Sequence, residues 1–166
     1  FMSSDFTITP KTLTITVAAK SKVYDSVDPV LTYTQSGLKS GDTITGVLGR
    51  ADGEDVGTFA ITLGNVSAGN NYAINFVPAN LTITAKPIAV TVDAQTKVYD
   101  SVDPTLTYST IGLKAGDRIT GGLVRVVGEN VGTYAIAQGS LEAGGNYAIA
   151  FTGANLTITA KTLPIT

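Results

Sequence analysis

Four aspartates, Asp25 and Asp28 with Asp100 and Asp103, come first among the residues that could do chemistry. They lie in two identical Tyr-Asp-Ser-Val-Asp-Pro runs, residues 24–29 and 99–104. Hard cations such as calcium take several carboxylate and carbonyl oxygens, so calcium is the ligand to consider. The spacing matches no calcium-loop pattern, however, and aspartates in turns ordinarily accept local backbone hydrogen bonds. A structural role is expected for all four, with calcium as the alternative; Asp93 is the nearest candidate for an ion at the centre of the chain. Asp42 and Asp117, each following a glycine, read as turn residues.

Lys22, Glu54 and Asn80, repeated as Lys97, Glu129 and Asn155, are the residue types of a self-formed Lys–Asn isopeptide crosslink. That bond requires the amine and the amide to be buried together against an acid. Tyr24, Tyr33 and Tyr72, with Tyr99, Tyr108 and Tyr147, would suit an aromatic shelf for a sugar. They alternate with Leu, Ile and Phe, which predicts packing at the core or its edge instead. Thr-x-Thr rows at 7/9, 14/16, 82/84 and 157/159 have the residue types of ice-binding arrays, but they are too few to stack and read as ordinary solvent faces of strands. Asn65, Asn80 and Asn155 open glycosylation sequons, which would carry little weight if the source were bacterial.

Other chemistry is excluded by what is missing. The 166 residues include no Cys and no His. A disulfide scaffold and a thiolate zinc site are thereby ruled out, and the usual general base and commonest metal ligand are absent. No glycine-rich loop joins a strand to a helix as phosphate binding requires. The chain is therefore expected to be no enzyme and to need no cofactor. Eleven basic residues against thirteen acidic ones, with no basic cluster, argue against nucleic acid. No apolar run reaches the roughly 18 residues of a membrane span. With no signal peptide either, the chain reads as an excised piece of an extracellular protein, monomeric and not inserted in a membrane. Hydrophobic residues make up 43% and charged residues 14%, a globular composition.

These residues are positioned by a unit that is written twice. Residues 11–85 lie on residues 86–160 without a gap, and almost two thirds of the paired positions are identical. A unit this short hides only about 60% of its unfolded surface and is modestly stable alone. Residues 1–10 lie before the first unit: 1–5 are a frayed or extraneous lead, and 6–11 (FTITPK) match the closing LTITAK of a unit. Residues 161–166 (KTLPIT) match the opening of a further one.

Within the first unit, residues 12–17 alternate strictly between Thr and Leu, Ile or Val, the pattern of a half-buried strand. Residues 20–29 are predicted to be a loop, and Pro29 holds Asp28 extended ahead of a strand at 31–34. Residues 37–42 (GLKSGD) predict a turn or one short helical turn. Further strands are expected near 47–51, 58–63, 72–76 and 81–84, separated by glycine- and asparagine-bearing turns. The module is thus mostly β, with about six strands and no helical period. The units join through Thr84-Ala85-Lys86-Pro87-Ile88 with no flexible spacer, so a stiff rod is expected in which neighbouring repeats touch through loops such as 20–27 or 64–71.

The ordered motifs Lys22-Val-Tyr…Asp28-Pro-x-Leu-Thr-Tyr…Gly37-Leu-x-x-Gly-Asp-x-Ile-Thr-Gly, then residues 53–61 (GEDVGTFAI) and 71–84 (NYAI…ANLTIT), recur at residues 97–121, 128–136 and 146–159. They resemble the MBG/YDG-type repeats of large bacterial surface proteins, adhesins in particular, with Ser26 and Ser101 standing where many relatives carry Gly. The resemblance implies a β-grasp-like module, its first and last strands side by side and residues 37–42 replacing the crossing helix. An immunoglobulin-like sandwich is the alternative. It further implies stalk repeats on the bacterial cell surface that have neighbouring repeats as partners and project a distal binding domain. The rival is a module that itself binds host glycoprotein or polysaccharide. The positions shared by both copies (Tyr24, Pro29, Leu31, Tyr33, Leu38, Ile61, Tyr72, Ile74, Phe76) are mostly apolar, which favours the stalk.

Overall fold

The computed structural model describes residues 5–165. The leading residues 1–4 and Thr166 lie outside them. The chain is all β, with no helix among the described residues, and divides into two compact units, residues 1–84 and 85–166.

In the first unit the strands are β1 (Lys11–Val17), β2 (Lys20–Val23), β3 (Tyr33–Ser36), β4 (Gly49–Arg50), β5 (Gly57–Thr62), β6 (Tyr72–Val77) and β7 (Asn80–Thr84). They form a three-stranded sheet, β3-β1-β6, and a four-stranded sheet, β2-β7-β5-β4. β1 pairs antiparallel with β3 and parallel with β6, from Lys11 opposite Tyr72 to Thr16 opposite Val77. β2 pairs parallel with β7, Lys20 opposite Leu81 and Val23 opposite Thr84, at the same offset. The first 13 residues of the module therefore run beside its closing residues as one long parallel ribbon. Both members bend together, at Ala18-Ala19 and at Pro78-Ala79, and so pass from one sheet into the other.

Alternation along the strands places Leu13, Ile15 and Val17 of β1 inward, with Ile61 of β5 and Leu81 and Ile83 of β7. Val17, Ile61 and Leu81 join Leu48 and Val66, and the half-buried Tyr33, Phe76 and Leu63 close over them, so both sheets share one core.

The second unit repeats this with β8 (Lys86–Val92), β9 (Gln95–Val98), β10 (Tyr108–Ile111), β11 (Val124–Arg125), β12 (Gly132–Ala137), β13 (Tyr147–Thr152) and β14 (Ala154–Thr159). Its sheets are β10-β8-β13 and β11-β12-β14-β9. Every register is conserved: Lys86 faces Tyr147 as Lys11 faces Tyr72, and Gln95 faces Leu156 as Lys20 faces Leu81. The turns agree as well, with Gly37 and Gly112 at φ 105° and 98°, and Gly46 and Gly121 at 83° and 84°. One backbone serves both copies, as expected from their shared length and turn residues.

Two expectations need correction. Each module has seven strands, not six. Residues 20–23 and 95–98 are strands where a loop was expected. Their inward position is a lysine (Lys22, Lys97), which breaks the apolar alternation that marks a strand in sequence. Residues 37–42 form a plain turn and not a helical one; the hydroxyl of Tyr72 fixes it, accepting from the Lys39 N–H at 3.0 Å and donating to Asp42 Oδ2 at 2.5 Å. The Asp42 carboxylate holds that phenol protonated and pushes its pKa up. Residues 5–10 and 161–165 form no strand, although their sequences match β7 and β1. They lack the neighbouring strands that β7 and β1 pair with inside a module.

Candidate functional site

The densest polar constellation surrounds Lys22. Strand β2 turns this side chain inward, and the residue is only 8% exposed. A lysine there must find anions, because a buried ammonium without partners is prohibitively costly. Its Nζ donates to Asp28 Oδ1 at 2.6 Å and to Glu54 Oε2 at 2.5 Å. Pro29 and the run before it deliver Asp28, and the turn between β4 and β5 delivers Glu54.

Arg50, at the end of β4, completes the group. Its Nε and Nη2 donate to Asp28 at 2.5 and 3.3 Å, and Nη2 also bonds Glu54 Oε1. Nη1 closes on the carbonyls of Ala51 and Gly53 at 2.9 and 2.7 Å, and the guanidinium lies 5.8 Å from the centre of the Phe59 ring. Two cations and two carboxylates thus neutralise one another in a fork geometry available to arginine but not to lysine.

The second module reproduces the arrangement. Lys97 bonds Asp103 and Glu129 at 2.7 and 2.5 Å. Arg125 bonds Asp103 at 2.6 and 3.1 Å and also reaches Glu129, over the ring of Tyr134 at 5.7 Å. The sequence singled out the lysines, aspartates and glutamates but missed Arg50 and Arg125. A signal existed: both arginines survive between the copies, whereas Lys20, Asp52 and Asp55 become Gln95, Val127 and Asn130.

The protonation states follow from these contacts. The Arg50 and Lys22 cations hold the Asp28 carboxyl below the ordinary carboxylate range, and Lys22 and Arg50 do the same for Glu54. The Arg125 fork and then Lys97 push Asp103 down to about 2. Hydrogen bonds to the carboxylates raise Lys22 and Lys97. An amine kept protonated beside ionised carboxylates has no lone pair with which to form an amide. Asn80 and Asn155, moreover, point out of β7 and β14, with Ala60 and Ala135 as their cross-strand partners. The proposed Lys–Asn pair is therefore not brought together, and the lysine is held in an ion cluster instead. What the cluster does is clamp the Asp-Pro loop and the turn after β4 (or β11) to the strand carrying the lysine.

The other candidates are placed as follows. Asp25 and Asp100 adopt left-handed conformations at the tip of the loop, φ 66° and 68°, which aspartate tolerates better than most residues. Asp100 pairs with Lys161 at 2.9 Å. Asp28 and Asp103 belong to the clusters, and Asp93 accepts from the Thr107 hydroxyl at 2.7 Å. Among the described residues no three His, Cys, Asp or Glu side chains converge as a metal site would need. Tyr24 is buried at 7% exposure, as expected of both repeats, but Tyr99 is 45% exposed because its ring borders an open cleft. The other four candidate tyrosines, Tyr33, Tyr72, Tyr108 and Tyr147, are half-buried, and Tyr33 packs against the first core.

Acid should open these clamps. The four carboxylates have lowered pKa values in the folded state, so their contribution is complete above the unfolded values, about 3.9 for Asp and 4.3 for Glu. It is lost as pH falls through the folded values. The melting temperature should stay level from neutral pH to about 4 and then drop toward pH 2. An Asp28→Asn/Asp103→Asn protein should start lower and lose less over that interval. An equally steep fall in the double variant would contradict the assignment.

Comparison with curated proteins finds no match. The family model for the MBG domain (YGX type) matches the chain twice, at residues 13–82 and 88–157, each match lying within one seven-stranded unit. With the repeated registers, the repeated clamp and two matches covering most of its length, the chain belongs to the MBG domain (YGX type) family as a tandem pair.

Proposed function

We propose that the two modules are stalk repeats of a bacterial cell-surface adhesin that hold a distal binding domain away from the cell and catalyse nothing themselves. The observation that carries this is the junction. β7 ends at Thr84 and β8 begins at Lys86, with Pro87 next, so a single residue separates the closing strand of one module from the opening strand of the other. A junction that short leaves no slack for folding back and favours a monomeric rod of end-to-end modules. A β-grasp-like module is the preferred reading of the topology. It is supported by the parallel pairing of the opening and closing segments, whereas the two-sheet core is the feature shared with an immunoglobulin-like sandwich.

The rival reading, recognition of a host glycoprotein or polysaccharide by the repeats, calls for an exposed set that both copies keep. What the copies keep is mainly core, turns and clamp, while exposed positions drift, as from Asn65 and Ser67 to Ser140 and Glu142. Small-angle scattering on the chain, with and without a calcium chelator, tests the stalk. A compact globule of this length has a radius of gyration of about 15 Å, and the rod should lie well above it. A value near that of the globule would refute the stalk geometry. Loosening by the chelator would assign calcium a part at the junction, and binding on a glycan array would favour the rival.

A further inference from the structure

We propose that the cleft beside Tyr99 is the seat of another module of this family, entered by the loop that precedes that module's sixth strand. The proposal rests on the reading of the chain as part of a repeat array and adds to it the surface through which the next repeat docks.

The cleft, of about 540 Å³, is walled by Tyr99, Asn130, Val131, Ala160, Lys161 and Leu163. Two of these belong to a segment whose sequence restarts the module. Lys161-Thr162-Leu163 repeats Lys11-Thr12-Leu13, and Ile165 falls where Ile15 and Val90 fall. In β1, Leu13 and Ile15 are fully buried, yet Leu163 and Ile165 are 78% and 101% exposed. Residues 161–165 thus carry the sequence of an opening strand but form none, and their apolar side chains lie uncovered.

The internal geometry of a module tells which part of the newcomer reaches the cleft. The first residue of the opening strand takes the carbonyl of the asparagine before the sixth strand: Lys11 N–H donates to Asn71 O, and Lys86 N–H to Asn146 O, both at 2.9 Å. A module begun at Lys161 would present its corresponding loop to Lys161 in the same way. Lys161 is itself a wall of the cleft and is tethered to Asp100, so the loop arrives at the rim. Leu163 would turn into the new core and leave Tyr99 and Val131, both now about half exposed, for the loop to cover. Attachment through Ala160 makes the encounter intramolecular, at an effective concentration in the millimolar range, so a small apolar patch suffices.

The test is a chain extended after Thr166 with a copy of residues 92–160, which continues the repeat in frame. Site-specific fluorotyrosine at position 99 reports its accessibility to a soluble paramagnetic agent, and hydrogen exchange at Leu163 reports whether the added module folds. Relaxation enhancement at position 99 should fall several-fold on extension, with Leu163 protected, and should return when four Gly/Ser residues are inserted between Ala160 and Lys161. A protected Leu163 with unchanged access to Tyr99 overturns the proposal, and so does an added module that stays unfolded. A compact scattering profile with Tyr99 shielded would end the stalk reading and leave this one standing.

Discussion

Replacing Gly46 by alanine should destabilise the first module by about 3–5 kcal/mol, most of what so small a unit can lose before unfolding. Gly46 sits at φ 83°, where an alanine already carries a strain of roughly 1–2 kcal/mol. The larger part is steric. A Cβ at Gly46 would lie 2.2 Å from the Asn65 carbonyl oxygen, a backbone atom that cannot swing away. Relief requires pulling apart the bridge between Thr45 and Ser67, with its two backbone hydrogen bonds of 2.8 and 3.0 Å, and the bond from Val47 N–H to Asn65 Oδ1 at 2.7 Å. Gly121→Ala should do the same to the second module, where the Cβ would meet the Ser140 oxygen at 2.0 Å. Gly41→Ala is the control, with a similar φ of 95° but nothing within 4 Å of the added carbon. Denaturant unfolding should show one module melting early in Gly46→Ala and a much smaller shift in Gly41→Ala. Equal shifts would mean that the backbone approach is immaterial.

Leu81→Ala should be comparably damaging, at about 2–5 kcal/mol. Leu81 has no exposed surface, lies near the start of β7 between Lys20 and Phe59, and belongs to the core that both sheets share. A module this size has one core and no second layer to collapse into the cavity, which pushes the cost toward the upper end. Thr82→Ala, on the outward face of the same strand, should change stability by no more than about 0.5 kcal/mol. Similar melting of the two variants would show that β7 does not anchor the module.

The comparison of Leu81 with Lys22 shows how far the sequence could be read. Leu13, Ile15, Leu81 and Ile83 alternate with threonine and announce their strands, because an apolar residue at every second position has one physical explanation. The turn at residues 37–42 was legible from Gly37, Gly41 and Asp42 for a similarly local reason. β2 was not. Its inward residue is charged, and the burial of Lys22 makes sense only once Asp28, Arg50 and Glu54 are known to surround it. Those partners come from separate turns of the chain, and no local pattern links them. The bend that carries β1–β2 and β6–β7 between sheets was equally hidden, since Ala18-Ala19 and Pro78-Ala79 read as ordinary strand ends. Tyr99 eluded prediction because it shares its motif with Tyr24 while its exposure depends on residues at a distance in sequence.

The long parallel ribbon of each module has a mechanical consequence. Tension along the chain would enter at Lys11 and leave at Thr84, the opposite ends of two strands that run in the same direction. Pulling them apart slides β1–β2 along β6–β7. Six paired residues in one sheet and four in the other are then strained together, not one after another as when a hairpin is peeled open. The Asp-Pro clamp grips β2 from the side, next to the stretch being sheared. Such a module should resist extension along its own chain axis better than its size alone would suggest, because rupture is governed by the barrier to breaking those contacts at once and not by the free energy of unfolding.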